Sequence, residues 1–214
     1  MNELLNNKTE SFLSSPVKLS SNHLLAIEGM KKSEIQNLID RADYFANLDK
    51  HSNTKTLQGY VVLNVFFENS TRTRVSFELA ARRLGAEVIN ISLINSSIKK
   101  GESLLDTAST LNAMKPDLLI VRHPHSGAPL LFADYLNCSI INAGDGRHEH
   151  PTQAMLDMFT IRQHKKDFKK LSVAIVGDVL HSRVARSNIH ALNVLGANQV
   201  RIIGPHTLIP KDIK

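Results

Sequence analysis

The sequence predicts an α/β fold: a parallel sheet with helices on both faces, followed by an incomplete second α/β unit. Three observations predict it. Short apolar runs, such as those at residues 60–67 and 118–121, alternate with stretches of helical periodicity. Strands of this apolar kind suit a parallel sheet covered on both sides. Glycine or proline stands where the helical stretches should stop, as at Gly85, Pro116 and Gly196.

The elements follow in order. Residues 32–48 read as a helix, with Ser33 and Gln36 spaced as a capping box. Residues 60–67 form a strongly apolar strand. Residues 71–84 form a helix that places Phe77, Ala80, Ala81 and Leu84 on one face, and residues 87–91 a strand. Residues 102–114 read as a helix with Leu104, Leu105, Ala108 and Leu111 inward; Pro116 then breaks the chain before a strand at 117–121. A helix at 127–136 and a strand at 139–142 complete four strands. The helix at 150–165 carries a core stripe of Met155, Met158 and Phe159. Its basic end, with Arg162, Lys165, Lys166, Lys169 and Lys170, suits a helix C-terminus and a solvated linker. Beyond it come a strand at 172–177, a helix at 181–195 with Ala185, Ile189 and Leu192 inward, and a strand at 199–203. The expected division is a first domain at 1–149, a connecting helix and linker at 150–170, and the start of a second domain at 171–214. That last stretch is too short to support a core of its own. It is either an appendage on the first domain or an unfinished second one, and the unfinished domain is the expectation.

Composition narrows the function classes. The chain of 214 residues is 42% hydrophobic and 21% charged, as globular proteins are. A net charge of +6 favours anionic partners, and nucleic acid, anionic lipid and phosphorylated metabolites all qualify. With no Trp and three Tyr there are few stacking platforms, so nucleic acid is not the expected partner. The apolar runs are too short to span a bilayer, and residues 1–10 lack the apolar core of a secretion signal. Cys138 is the single cysteine, which excludes an intrachain disulfide; it reads as a buried strand thiol rather than a nucleophile. A cytoplasmic protein without a membrane partner is expected.

The chemistry concentrates after the strands. At 66–74 an apolar strand runs into Glu68, Asn69, Ser70, Thr71, Arg72, Thr73 and Arg74 as a helix begins. Free N–H groups at a helix start attract phosphate, Ser70 and Thr71 are natural caps, and Arg72 can add a charge-assisted contact. An ordinary capped helix and a phosphate site both fit this stretch; it lacks the glycines of a Walker loop. A polar basic loop, Ser96 to Glu102, precedes the next helix. Arg122 and His123 follow a buried strand, where open α/β sheets bind ligands. In the stretch 144–153, Gly144, Asp145 and Gly146 suit a tight turn, and His150 and Gln153 can face one point from a helix start. His148 and His150 could begin a zinc site, but no further His or Cys arrangement completes one, so no metal is expected. Val176, Gly177 and Asp178 precede a helix as in a dinucleotide turn, without the glycine fingerprint. Arg183 and Arg186 could hold carboxylates.

Taken together, S-T-R-T-R at 70–74, K-K-G-E at 99–102, R-H-P at 122–124 and H-P-T-Q at 150–153 resemble, in order and approximate spacing, the aspartate/ornithine carbamoyltransferase family. The resemblance runs from about Met30 to Pro205. R-H-P, the G-D-G before the histidines and the Thr of H-P-T-Q are similar to its aspartate branch; ornithine as acceptor is the alternative. The resemblance implies a carbamoyl-phosphate-binding first domain and transfer of the carbamoyl group to L-aspartate, giving N-carbamoyl-L-aspartate and phosphate in de novo pyrimidine synthesis, without a cofactor. It implies phosphate contacts from Ser70, Thr71, Arg72 and Thr73, and carbonyl-oxygen contacts from Thr73, Arg122 and His150. Gln153 would meet the carbamoyl amide, and Arg183 and Lys100 the aspartate. Ser96 and Lys100 would be lent to a neighbouring subunit of a homotrimer, to which a regulatory chain could bind. The family continues beyond the equivalent of Lys214, so this chain alone is expected to bind carbamoyl phosphate and turn over poorly. A non-catalytic phosphate-binding or subunit-interaction module is the other reading.

Overall fold

The computed structural model describes residues 19–48, 54–92 and 103–211. Its elements are α1 (Lys32–Ala46), β1 (Val61–Phe66), α2 (Thr71–Arg83), β2 (Glu87–Ser92), α3 (Leu104–Ala113), β3 (Leu118–His123), α4 (Ala128–Tyr135), β4 (Ser139–Asp145), α5 (Pro151–Lys165), β5 (Ser172–Val176), α6 (Arg183–Leu195) and β6 (Gln199–Ile203). Strands β1 to β4 make one parallel sheet in the order β2-β1-β3-β4, and β5 and β6 pair in parallel as a second.

Side-chain alternation along the strands explains the layers. Leu63, Val65, Leu119, Val121 and Ile140 pack on one face against Ala108 and Leu111 of α3 and Phe132 of α4. Val62, Phe66, Ile120 and Ala143 face the other way, against Ala81 and Phe77 of α2. A third cluster joins Ile35 and Ile39 of α1, Ala154 and Met158 of α5, and Ala191, Leu192 and Leu195 of α6. The helix of the second unit therefore shares its core with helices that precede it.

Several expectations change in detail. The cap of α1 is not built on Ser33 and Gln36: Lys31 is the N-cap, and Glu34 accepts its backbone N–H at 2.8 Å. Leu105 and Ala80 are exposed rather than inward, because each lies at the edge of its helix's buried stripe. Cys138 is half-buried just ahead of β4, and burial pushes its thiol up. Strand β3 runs two residues beyond 121 to His123. Strand β4 runs to Asp145, so Gly144 and Asp145 are strand residues and the turn is Gly146 to His148. The reason is a register shift between Val121 and His123, where β4 carries an extra residue. Such a bulge keeps pairing alive while re-aiming side chains.

Candidate active site

The C-terminal ends of β1, β3 and β4 converge, and the starts of α2 and α5 lie beside them. Asn64 in β1 is fully buried, and its Nδ2 donates to the Arg74 carbonyl at 3.1 Å and to Asn90 Oδ1 at 3.0 Å. A buried amide left unbonded would be costly; here it ties the first turn of α2 to the sheet. Ser70 is the N-cap of α2, yet its hydroxyl makes no capping bond. The first N–H groups of the helix, from Thr71 to Thr73, are left to a ligand or to water.

His150 is the N-cap of α5, with Pro151 in the first turn, where a missing N–H costs nothing. A buried network sets its position. The His150 N–H donates to Ser187 Oγ at 2.8 Å, and that hydroxyl donates to Glu149 Oε2 at 2.8 Å. Glu149, fully buried, also accepts the N–H groups of Ile27 at 2.8 Å and Glu28 at 2.9 Å. Asp145 takes the N–H of Glu149 at 3.1 Å, the amide of Asn142 at 2.8 Å and the N–H of Gly127 at 2.8 Å. Three separate chain segments are thus fixed around one turn.

Charge is concentrated behind the histidine. Arg122 donates from Nη1 to the Ala143 carbonyl at 3.2 Å and places the same nitrogen 3.5 Å from His150 Nε2. Its Nε lies 2.6 Å from Glu68 Oε1, a charge contact rather than an aligned hydrogen bond. Arg183, at the start of α6, donates to the same Glu68 oxygen at 2.6 Å and to the Gly146 carbonyl at 3.3 Å. Burial, then the charges of Arg122 and Arg183, push the His150 imidazole down to about 4. Burial works to raise the Glu68 carboxyl, but Arg183 and Arg122 outweigh it and hold it below its ordinary value. The histidine is therefore a neutral hydrogen-bonding group, and the arginines carry the fixed positive charge.

Arg72, Thr73, His150 and Gln153 line one open cleft of about 670 Å³, with Ser76 and Thr152 among its other polar walls. Ser70 and Thr71 stand at the same helix start, immediately before that wall. Arg122 does not line that cleft itself but contacts His150, which does. Arg183 is held by Glu68 rather than standing free in the cleft. Ser96 and Lys100 lie outside the described residues. His148 contacts Asp145 Oδ2 at 3.1 Å while His150 turns to Arg122, so the two histidines do not share a point. Among the described residues, metal-type donors converge at Glu28, Glu149 and His190, within 4.8 Å of one another. Glu149 is already held by three hydrogen bonds there, so this grouping belongs to the support of the turn.

Sequence reasoning missed Glu68, Asn142, Asp145, Glu149 and Ser187 as contributors. Glu68 stands two residues ahead of the S-T-R-T-R motif. Ser187 carried no local signal, being a small polar residue within a helix.

The domain family described as aspartate/ornithine carbamoyltransferase, carbamoyl-P binding domain, matches residues 22–163. The chain is similar to the aspartate carbamoyltransferase catalytic subunit of Rhodospirillum rubrum, 60% identical over 193 residues, which cover 89% of this chain and 60% of that protein. The catalytic subunit of Granulibacter bethesdensis is 62% identical over 190 residues, with 88% and 60% covered. Among solved structures, aspartate transcarbamoylase from Trypanosoma cruzi in complex with carbamoyl phosphate aligns with a TM-score of 0.78 at 34% identity, covering 89% of this chain and 62% of that one. The catalytic subunit of M. jannaschii aspartate transcarbamoylase aligns with a TM-score of 0.80 at 39% identity, covering 90% and 63%. The chain spans about 60% of the length of the curated relatives it matches.

Proposed function

The chain belongs to the aspartate/ornithine carbamoyltransferase family, and on that premise we propose that its protein transfers the carbamoyl group of carbamoyl phosphate to L-aspartate, releasing phosphate and N-carbamoyl-L-aspartate for pyrimidine synthesis. One observation carries the reading: Arg72, Thr73, His150 and Gln153, from two distant motifs, line the same cleft beside an uncapped helix start. The curated relatives carry the aspartate carbamoyltransferase name, which favours aspartate over ornithine as acceptor.

In this reading the first N–H groups of α2, the Ser70 hydroxyl and Arg72 receive the phosphate. Thr73, Arg122 and His150 surround the carbonyl oxygen. The aspartate amine attacks the carbonyl carbon, the oxygen becomes an oxyanion, and as the carbonyl re-forms the bond to phosphate breaks, the amine's proton passing to the departing phosphate. Preorganised donors are most effective where charge develops, and one such donor contributes about 2.7–4 kcal/mol. A neutral His150 suits this role, because it polarises the oxygen without adding a charge that Arg122 already supplies. Gln153 meets the carbamoyl amide. Arg183 has donors beyond the two acceptors it engages, and these address an aspartate carboxylate. Lys100 and Ser96 come from a neighbouring subunit of a homotrimer; exposed Val75 and Leu79 on α2 support an assembly surface beside the cleft.

The domain division follows as residues 1–149 for carbamoyl phosphate, 150–170 as connection, and 171–214 as the start of the aspartate-binding part. A cytoplasmic setting is part of the same proposal; no described helix is long and apolar enough to cross a membrane. Calorimetry with carbamoyl phosphate on this chain, and product assays of the full-length protein with aspartate and ornithine, test it. Binding and carbamoyl-aspartate formation are expected. Citrulline formation in place of carbamoyl-aspartate would move the protein to the ornithine branch.

A further inference from the structure

We infer that Asp157 is a positioning residue that fixes which end of the Gln153 amide the cleft sees, and so sets the preference for a substrate bearing an N–H over an isosteric one bearing a methyl group. This rests on the placement of Gln153 at the carbamoyl group proposed above.

Asp157 lies one turn after Gln153 on α5, so the two side chains share a helix face. One Asp157 oxygen, Oδ1, accepts from Gln153 Nε2 at 2.9 Å. The other, Oδ2, accepts from Asn188 Nδ2 of α6 at 2.8 Å. An ionised carboxylate only accepts hydrogen bonds. Any amide that faces it must therefore present its NH₂ end. Gln153 is left with its carbonyl oxygen, which accepts from no described side chain, as the end available to the cleft it lines. An acceptor there recognises a ligand N–H and gains nothing from a methyl group. Without Asp157 the amide can turn over and offer its NH₂ instead. Asn188 holds the carboxylate from its far side, so the orientation of a glutamine on the connecting helix is braced by a helix of the second unit.

The full-length protein and its Asp157→Ala variant are compared in equilibrium binding of carbamoyl phosphate and of acetyl phosphate, which carries a methyl group in place of the amide. The variant is expected to bind carbamoyl phosphate about threefold to tenfold more weakly, the effect of one neutral hydrogen bond, with acetyl phosphate changed less than twofold. Asp157→Glu, which keeps an acceptor, should restore part of the preference. Asp157→Leu, closer in volume, gives the same comparison if the alanine chain does not fold. Equal weakening for both ligands would assign Asp157 a merely structural role and overturn the inference; so would an unchanged preference in a folded variant. Failure of the parent itself to bind carbamoyl phosphate would instead remove the proposed function, and this inference with it.

Discussion

Arg183 Nη2 donates to Glu68 Oε1 at 2.6 Å, joining residues 115 positions apart in the chain. The pair links the loop after β1 to the first turn of α6, and Arg122 contacts the same carboxylate oxygen. Two guanidinium groups converge on one carboxylate, which spreads negative charge into a site that is otherwise strongly positive.

Replacing Glu68 by Gln should destabilise the fold at neutral pH and release Arg183 from its position. The carboxyl is held below its ordinary value, so the folded state binds fewer protons than the unfolded one. Its contribution is complete above the ordinary carboxylate value of 4.5 and fades as pH falls through the lowered value. Urea midpoints of parent and Glu68→Gln should differ clearly at pH 7 and draw together as the pH falls below the ordinary carboxylate value of 4.5. A pH-independent gap would argue against the charge bridge.

His150 should titrate near 4 rather than near its ordinary 6.5, by NMR of the imidazole in the ligand-free protein. The sign for stability follows: between those values the unfolded chain takes up the proton and the folded one does not. Stability is fully present above 6.5 and declines as pH falls through 4, by roughly 3 kcal/mol for a shift of this size. A His150→Gln chain should lose less stability over the same pH range. Titration of His150 at 6.5 or above would contradict the desolvated, arginine-flanked setting.

Gly144 has φ +114, and a Cβ there would lie 2.9 Å from Arg183 Nε and 3.2 Å from His150 Cδ2. Gly127 also has positive φ, +87, but a Cβ would meet nothing within 4 Å. Gly127→Ala should therefore cost backbone strain alone, about 1–2 kcal/mol. Gly144→Ala should cost more and, in the full-length protein, should also depress any turnover by displacing Arg183 and His150. Equal losses of stability and activity in the two variants, from thermal melts and steady-state rates, would refute the close-approach argument.

Arg72 is exposed, so Arg72→Ala should leave the melting temperature near that of the parent while removing a charge-assisted contact of about 1.5–3 kcal/mol. Kinetics of the full-length variant within threefold of the parent would exclude it from the phosphate site. Lys100→Ala should be similarly inactive alone. If Lys100 acts across a subunit boundary, mixed trimers of the two variants should regain activity, because some interfaces then hold one intact site. Verified mixed trimers without any recovery would rule out sharing.

The alternation of strands and helices, the stops at Gly85 and Gly196, and the S-T-R-T-R and H-P-T-Q motifs were readable from the sequence by itself. Periodicity and turn chemistry are local, and each motif lies within a few residues of the element that presents it. The sequence could not show that β4 continues through Gly144 and Asp145. Both are turn-forming types, and only the register shift against β3 keeps them in the strand. Nor could it show that Glu68 joins Arg122 to Arg183, or that Ser187 holds the His150 backbone and Asn188 the Asp157 carboxylate. Those partners come from distant segments, and a polar side chain inside a helix reads the same in sequence whether it faces water or a buried donor. Only the packing of α6 against α1 and α5 decides which of them are desolvated, and desolvation is what turns an ordinary serine, glutamate or histidine into a fixed part of the site.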